Sequence, residues 1–93
     1  MIRSYRDRQA RRIAERRRVR KFPEDIQIRA QIKLMILNNA KSLEDLRKPP
    51  GNRLEALTGD RTGQHSIRIN DQWRICFVWS GEDAYDVEIV DYH

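Results

Sequence analysis

Residues 64–80 read QHSIRINDQWRICFVWS, and their period decides the fold. Ile67 and Ile69 alternate with Ser66, Arg68 and Asn70; Trp73, Ile75, Phe77 and Trp79 alternate with Arg74, Cys76 and Val78. Successive side chains of an extended chain point to opposite faces, so this spacing predicts two strands, at 64–70 and 73–80, each with one buried face. Asn70-Asp71 between them suits a tight reversal, which makes the pair antiparallel. Working outward, the Gly59–Gly63 turn separates an upstream strand at 53–57. Ser80-Gly81-Glu82-Asp83 leads into a downstream strand at 84–92, where Val87 and Ile89 oppose Glu88, Val90 and Tyr92.

The period before residue 53 is helical. Pro23 suits a first turn, and Glu24 and Asp25 place acid at the positive end of the helix dipole. Ile26, Ile28, Ala30, Ile32, Leu34, Met35, Ile36 and Leu37 then form a broad apolar face, ending at Asn38-Asn39. This helix reads as a core element rather than a partner-binding surface. Ser42 is placed to cap a short helix through Leu46 with Asp45 completing the box, and Pro49-Pro50-Gly51-Asn52 breaks the chain. Upstream, Ala10, Ile13 and Ala14 supply a thin apolar stripe for a helix with a wide basic face. The expected class is α+β, one domain over 1–93, with the apolar strand faces packed on the long helix.

Charge is distributed unevenly. The first 21 residues hold ten basic side chains against Asp7 and Glu15, about +8, while the whole chain carries +5. Arg16, Arg17 and Arg18 are the densest run. Such a segment attracts phosphate, and its binding weakens with salt. A solvated face is the plain alternative. Membrane association is disfavoured because Trp, Phe and Leu are absent from the apolar side of that segment, and no apolar run approaches the roughly 20 residues that span a bilayer. The sole cysteine, Cys76, has no internal partner and reads as a buried thiol in a reducing, cytoplasmic setting. An Arg-rich start also resembles a transit peptide, but the segment has one serine and reads as part of the fold.

Chemistry concentrates at Asp91-Tyr92-His93, a carboxylate, a phenol and an imidazole at the end of a strand. If His93 is the true terminus, its own carboxylate favours the imidazolium. A frayed polar tail is the other reading. On the strand face away from the core, Arg68, Arg74 and Tyr92 are placed to converge. Cleaving RNA without a metal needs a base for the 2′-hydroxyl, an acid for the leaving oxygen and cations around the phosphorane. Arg74 and Arg68 suit the phosphate, His93 the proton transfer, and Tyr92 a hydrogen bond or a base stack. A structural salt bridge from Arg74 to Glu88 is the competing reading. Parity sets Asp91 and His93 with Ile89 on the core side unless a bulge intervenes. His65 shares the core parity of Ile67 and reads as structural. No His, Cys or Asp spacing resembles a zinc site, and no cofactor motif occurs.

The stretch Asn52–Trp79 and the ending DVEIVDYH resemble the HigB branch of the RelE superfamily, bacterial toxins of type II toxin–antitoxin systems. The resemblance extends from MIRSY through PPGNRLEAL, the GDR turn and IRINDQWR to the terminal DYH. It implies N-terminal helices packed on a curved antiparallel sheet, and a ribosome-dependent, metal-independent endoribonuclease that cuts mRNA in the A site. It also implies a HigA-type helix-turn-helix antitoxin that inhibits the toxin and represses their shared operon, so that operator DNA is met only through the antitoxin. The terminal triplet matches Asp91, Tyr92 and His93, with the histidine the favoured acid–base group, and Arg74 matches the arginine that stabilises phosphate. Where some members carry a catalytic lysine before Gly-Asp-Arg, this chain has Thr58. Glu55 stands where some have a histidine, and is either a proton-transfer group or solvent-facing. Arg53, Arg61 and Arg68 are candidate substitutes for the missing positive charge. A basic nucleic-acid- or ribosome-binding protein that titrates antitoxin, with little nuclease activity, is the second function class.

Overall fold

The computed structural model of the chain describes residues 1–92. His93, the favoured proton-transfer group, lies outside the described residues. Three α-helices, α1 (Arg8–Ala14), α2 (Glu24–Asn39) and α3 (Leu43–Arg47), precede β1 (Glu55–Ala56), β2 (His65–Arg68), β3 (Trp73–Ser80) and β4 (Asp83–Asp91) among these residues. The strands form one antiparallel sheet in the order β1-β2-β3-β4. The α+β class and the central hairpin are as the sequence predicts.

Two strands are shorter than expected, for local reasons. β1 spans two residues rather than 53–57, because a 3₁₀ turn at Pro50–Asn52 delivers Arg53 in the left-handed region, φ 43°. β2 stops at Arg68 because Asn70 turns inward. Its side-chain oxygen accepts from the backbone N–H of Gln72 (2.9 Å) and Trp73 (2.8 Å), closing the reversal itself.

β4 contains the bulge that alternation leaves out. Cys76 lies opposite Glu88, but Val78 lies opposite Tyr85, so the register slips by one residue. Asp86 takes φ 53° at this point, and the buried parity changes from Ala84 to Val87. The N-terminal segment runs along this edge. Ala84 donates to Met1 O (3.0 Å), Arg3 to Ala84 O (2.8 Å), Val87 to Ser4 O (3.1 Å) and Arg6 to Val87 O (2.9 Å). Ser4 Oγ accepts from the Asp86 N–H at 2.9 Å, satisfying the bulged residue. A sheet edge that would template aggregation is thereby covered.

The core lies between the sheet and α1 and α2. Ala10 and Ile13 of α1, Ile26, Ala30, Leu34 and Leu37 of α2, and Ile67, Ile75, Phe77, Val87 and Ile89 of the strands are buried in one cluster. Trp73 meets Phe22 edge to face at 5.0 Å between ring centroids, and Trp79 packs partly buried against Phe77. Both tryptophans are thus packing residues. Asp7 caps α1 by accepting from Ala10 N at 2.7 Å. Ser42 caps α3, but Asp45 bonds the Lys41 N–H at 2.9 Å rather than closing the expected box on Ser42.

The expectation for α2 needs correcting. Its core face is the narrow stripe Ile26, Ala30, Leu34 and Leu37. Ile28, Ile32 and Met35 are 59%, 53% and 50% exposed on a second side. Apolar residues around most of the helix cannot all reach one sheet, so α2 carries a buried stripe and a solvent-facing one.

Candidate active site

Alternation leaves Ser66, Arg74, Cys76, Glu88 and Tyr92 on the sheet face away from the helices, and a network forms there. Arg74 lies at its centre and is buried to 9% exposure. Its Nε donates to Ser66 Oγ (2.8 Å), and its Nη2 donates to Arg53 O (2.5 Å) and Ser66 O (3.4 Å). The left-handed turn at Arg53 aims that carbonyl inward. A buried guanidinium is tolerated only when its donors are met, and backbone and hydroxyl acceptors meet it here with little competing negative charge. Among the described residues the carboxylate paired with Arg74 is Glu55 of β1, with Oε1 3.9 Å from Arg74 Nη1 and its side chain 57% exposed. So, among the described residues, Arg74 is held in place yet largely unneutralised.

Tyr92 closes the other side. Its ring lies 6.0 Å from the Arg74 guanidinium carbon, and its hydroxyl is 3.7 Å from Cys76 Sγ. Partial burial, reinforced by the thiol, raises the Tyr92 pKa above its ordinary 10.0. Burial likewise raises Cys76 above 9.0, against the opposing effects of the Tyr92 hydrogen bond and the Arg61 and Arg74 charges. Near neutral pH the phenol and thiol are therefore protonated. Tyr92 can donate a hydrogen bond or stack on a base there. Glu55 is the carboxylate beside Arg74 with an open approach from solvent.

Glu88 does not pair with Arg74, contrary to the competing sequence reading. It takes Arg61 Nη1 at 3.0 Å and Arg6 Nη1 at 3.5 Å. Arg61, also bonded to Gln64 at 3.0 Å, is held charged chiefly by the Glu88 hydrogen bond. Its charge acts on Cys76 and Tyr92 as a second cation at the site's edge.

The remaining sequence candidates divide. Arg68 lies directly opposite Arg74 across the β2–β3 ladder, where like charges repel, and it pairs instead with Asp71. Arg53 contributes its carbonyl to Arg74, while its own side chain is exposed. Asp91 lies opposite Trp73, on the strand side of Ile89, and accepts from Gln72 Nε2 at 3.1 Å. Arg16, Arg17 and Arg18 follow α1 on the helix side of the molecule, away from Arg74. His65 stacks on core Phe77 at 6.3 Å between centroids. Among the described residues no group of three His, Cys, Asp or Glu side chains is arranged to hold a metal.

Three contributors were missed by sequence reasoning: Ser66, Cys76 and the Arg53 carbonyl. Alternation set Ser66, Arg74 and Cys76 on one face, but cross-strand register was needed to make them neighbours. Nothing in the sequence marks the Arg53 turn.

The comparisons agree with this architecture. A family model described as the RelE-like toxin of the type II toxin–antitoxin system HigB matches residues 3–93. The chain is 46% identical over 63 residues to Toxin HigB-1 of Vibrio cholerae, covering 68% of this chain and 66% of that protein. It is 44% identical over 41 residues to Endoribonuclease HigB of Proteus vulgaris, covering 44% of this chain and 45% of that protein. The chain thus matches less than two thirds of the length of either relative. The crystal structure of YafQ from E. coli superposes with a TM-score of 0.58 at 12% identity, covering 98% of this chain and 91% of that one, which shows a shared fold. Spanning the chain from Arg3 to its last residue, the family match makes this protein a member of the HigB-like, RelE-like toxins of type II toxin–antitoxin systems.

Proposed function

We propose that the chain is an endoribonuclease that cleaves mRNA in the ribosomal A site without a metal. On this reading it acts in the cytoplasm as one domain and is neutralised by a HigA-type helix-turn-helix antitoxin. The observation that carries the proposal is Arg74, fixed by Ser66 and the Arg53 carbonyl, flanked by the Tyr92 ring and only distantly paired with Glu55. A fixed cation with Nη1 toward an open carboxylate suits a phosphate that gains charge during reaction.

In such a reaction the 2′-oxygen bonds to phosphorus as the bond to the 5′-oxygen breaks. A base takes the 2′-hydroxyl proton, and an acid returns one to the leaving oxygen. Arg74 would stabilise the phosphorane, and Tyr92, as the protonated phenol, would stack on or hydrogen-bond the substrate. Glu55 and His93 are the candidates for proton transfer, with Asp91 beside them in sequence. Arg53, Arg61 and Arg68 line the approach as RNA contacts, and Arg16, Arg17 and Arg18 would meet ribosomal RNA phosphate. The ribosome would supply the positioning of mRNA.

The test is reporter-mRNA cleavage on programmed ribosomes, mapped by primer extension, for the unsubstituted chain, Arg74→Ala and His93→Ala. Cleavage at the A site that falls by about 10²–10³-fold in Arg74→Ala is the expected result. Equal loss in His93→Ala assigns the proton transfer to His93, and its retention assigns it to Glu55. Ribosome binding without cleavage by the unsubstituted chain would replace the nuclease with the binding-protein reading.

A further inference from the structure

The turn that fixes Arg74 also fixes a second cation. Asn52 ends the 3₁₀ turn Pro50–Asn52 and is fully buried, its Nδ2 donating to Leu46 O at 3.1 Å. Its Oδ1 accepts from Lys33 Nζ of α2 at 2.5 Å. The next residue, Arg53, offers its carbonyl to Arg74. Adjacent residues of one turn therefore hold the Lys33 ammonium and the Arg74 guanidinium, and the two cations share an anchor.

Lys33 has cationic neighbours. Arg29 precedes it by four residues, on the same side of α2, and is exposed. Arg68 neighbours both sites, since it lies opposite Arg74 in the β2–β3 ladder and its charge acts on Lys33. Burial, and then the Arg29 and Arg68 charges, lower the Lys33 pKa below its ordinary 10.5. Among the described residues neither Arg29 nor Lys33 has an ion-pair partner. Arg68 is paired with Asp71, whose side chain is 98% exposed and so neutralises it weakly. Asn52 needs only a hydrogen-bond donor, which a neutral side chain would supply. A charged donor gathered with two more cations costs stability, and a bound anion recovers it. Gly51 carries no side chain to cover the ammonium; a Cβ there would lie 4.0 Å from Lys33 Nζ.

We infer that Lys33, with Arg29 and Arg68 beside it, forms a second phosphate subsite that holds the phosphodiester next to the one bound at Arg74. The shared turn selects a strand over a lone anion, because fixed cations in series suit phosphates in series. Lys33 meets its phosphate as a point charge, and Arg74 meets the reacting one with a planar fork. A phosphate that does not react then helps to set the register of the one that does, which is how remote binding energy is turned into positioning.

The inference rests on the RNA reading of the Arg74 site, and paired ligands separate the two. A 2′-deoxy dinucleotide and trinucleotide lack the attacking oxygen and carry one and two phosphodiesters. Each is titrated at low salt into the isotope-labelled chain, with amide chemical shifts reporting both affinity and fold. In the unsubstituted chain the trinucleotide is expected to bind about fivefold or more tighter than the dinucleotide. Lys33→Gln keeps an amide that can donate to Asn52. It should bring that ratio down to about two, the statistical factor for two phosphates, and lower the trinucleotide's salt slope by about 0.7. Arg29→Gln, at an exposed position, should lower the ratio in part, and Lys41→Gln, beyond the end of α2, should leave it unchanged. Arg74→Ala should weaken both ligands.

A ratio retained in both folded variants would overturn the subsite and leave Arg74 as a phosphate site. Equal weakening of the two ligands by Lys33→Gln would make Lys33 a support for the turn and would also overturn it. Binding as expected, with no cleavage on programmed ribosomes, would keep the subsite and remove the nuclease. No binding of either ligand by the unsubstituted chain would overturn the subsite and the Arg74 phosphate site together.

Discussion

The two faces of the sheet are built from the same strands and solve opposite problems. Toward α1 and α2, Ile67, Ile75, Phe77, Val87 and Ile89 bury hydrocarbon. On the other face, Arg74, Ser66 and Cys76 are almost as buried, yet every donor of the guanidinium that faces inward has an acceptor. The first face tolerates change in proportion to volume, because its energy comes from area removed from water and from contact. The second depends on particular atoms, because an unmet buried charge costs more than a lost methylene. Stability is thus concentrated on one face, and the groups suited to chemistry on the other.

The widest separation between the faces is expected at Phe77. Phe77→Ala leaves a cavity under α2 and should lower unfolding stability by about 3–5 kcal/mol, read from urea denaturation. A loss below about 1 kcal/mol would mean the helix face is not the main source of stability. Ser66→Ala sharpens the contrast. It removes the hydroxyl that accepts from Arg74 Nε at 2.8 Å and should cost about 1.5–3 kcal/mol of stability. Its cleavage rate should fall about tenfold through misplacement of Arg74, with restoration in Ser66→Thr. Equal rates in all three proteins would leave Ser66 a packing residue.

The smallest effect concerns pH. Cys76 and Tyr92 have folded pKa values raised above 9.0 and 10.0, each chiefly by burial. A raised pKa means the folded state holds its proton where the unfolded state releases it. Stability from these groups is therefore complete below about pH 9 and is lost as pH rises through the folded values. Tyr5, on the helix side, is also raised by burial, opposed by Arg11, and adds to the loss above 10.0. Thermal melts across this range should show Cys76→Ser flattening the decline that begins near pH 9. An unaltered decline would assign it to the phenols Tyr92 and Tyr5.

Much of the outer face was legible before any coordinates. Period two grouped Arg74 with Cys76 and set Glu88 with Tyr92, and the hairpin at Asn70-Asp71 made β2 and β3 neighbours. What remained hidden was which carboxylate met which cation. Glu88 is the obvious strand partner for Arg74, yet it belongs to Arg61 and Arg6 because β4 lies beside β3 while the Gly59–Arg61 turn folds over its face. The helix face was misread in one respect. Eight apolar residues in α2 suggested one broad core surface, but a helix meeting a sheet buries about one stripe, and Ile28, Ile32 and Met35 fall outside it.

By itself, the sequence determined the class of fold, the antiparallel central hairpin, the basic N-terminal segment and the family. These follow from periodicity, turn chemistry, composition and motifs that act locally along the chain. The tertiary structure decided what depends on distant segments meeting. It slipped the β4 register at Asp86 against an N-terminal segment 82 residues away in sequence, bonded through Ser4. It turned the Arg53 carbonyl onto Arg74 across 21 residues. Local propensity fixes which way a side chain points along its own element; only packing decides what it finds there.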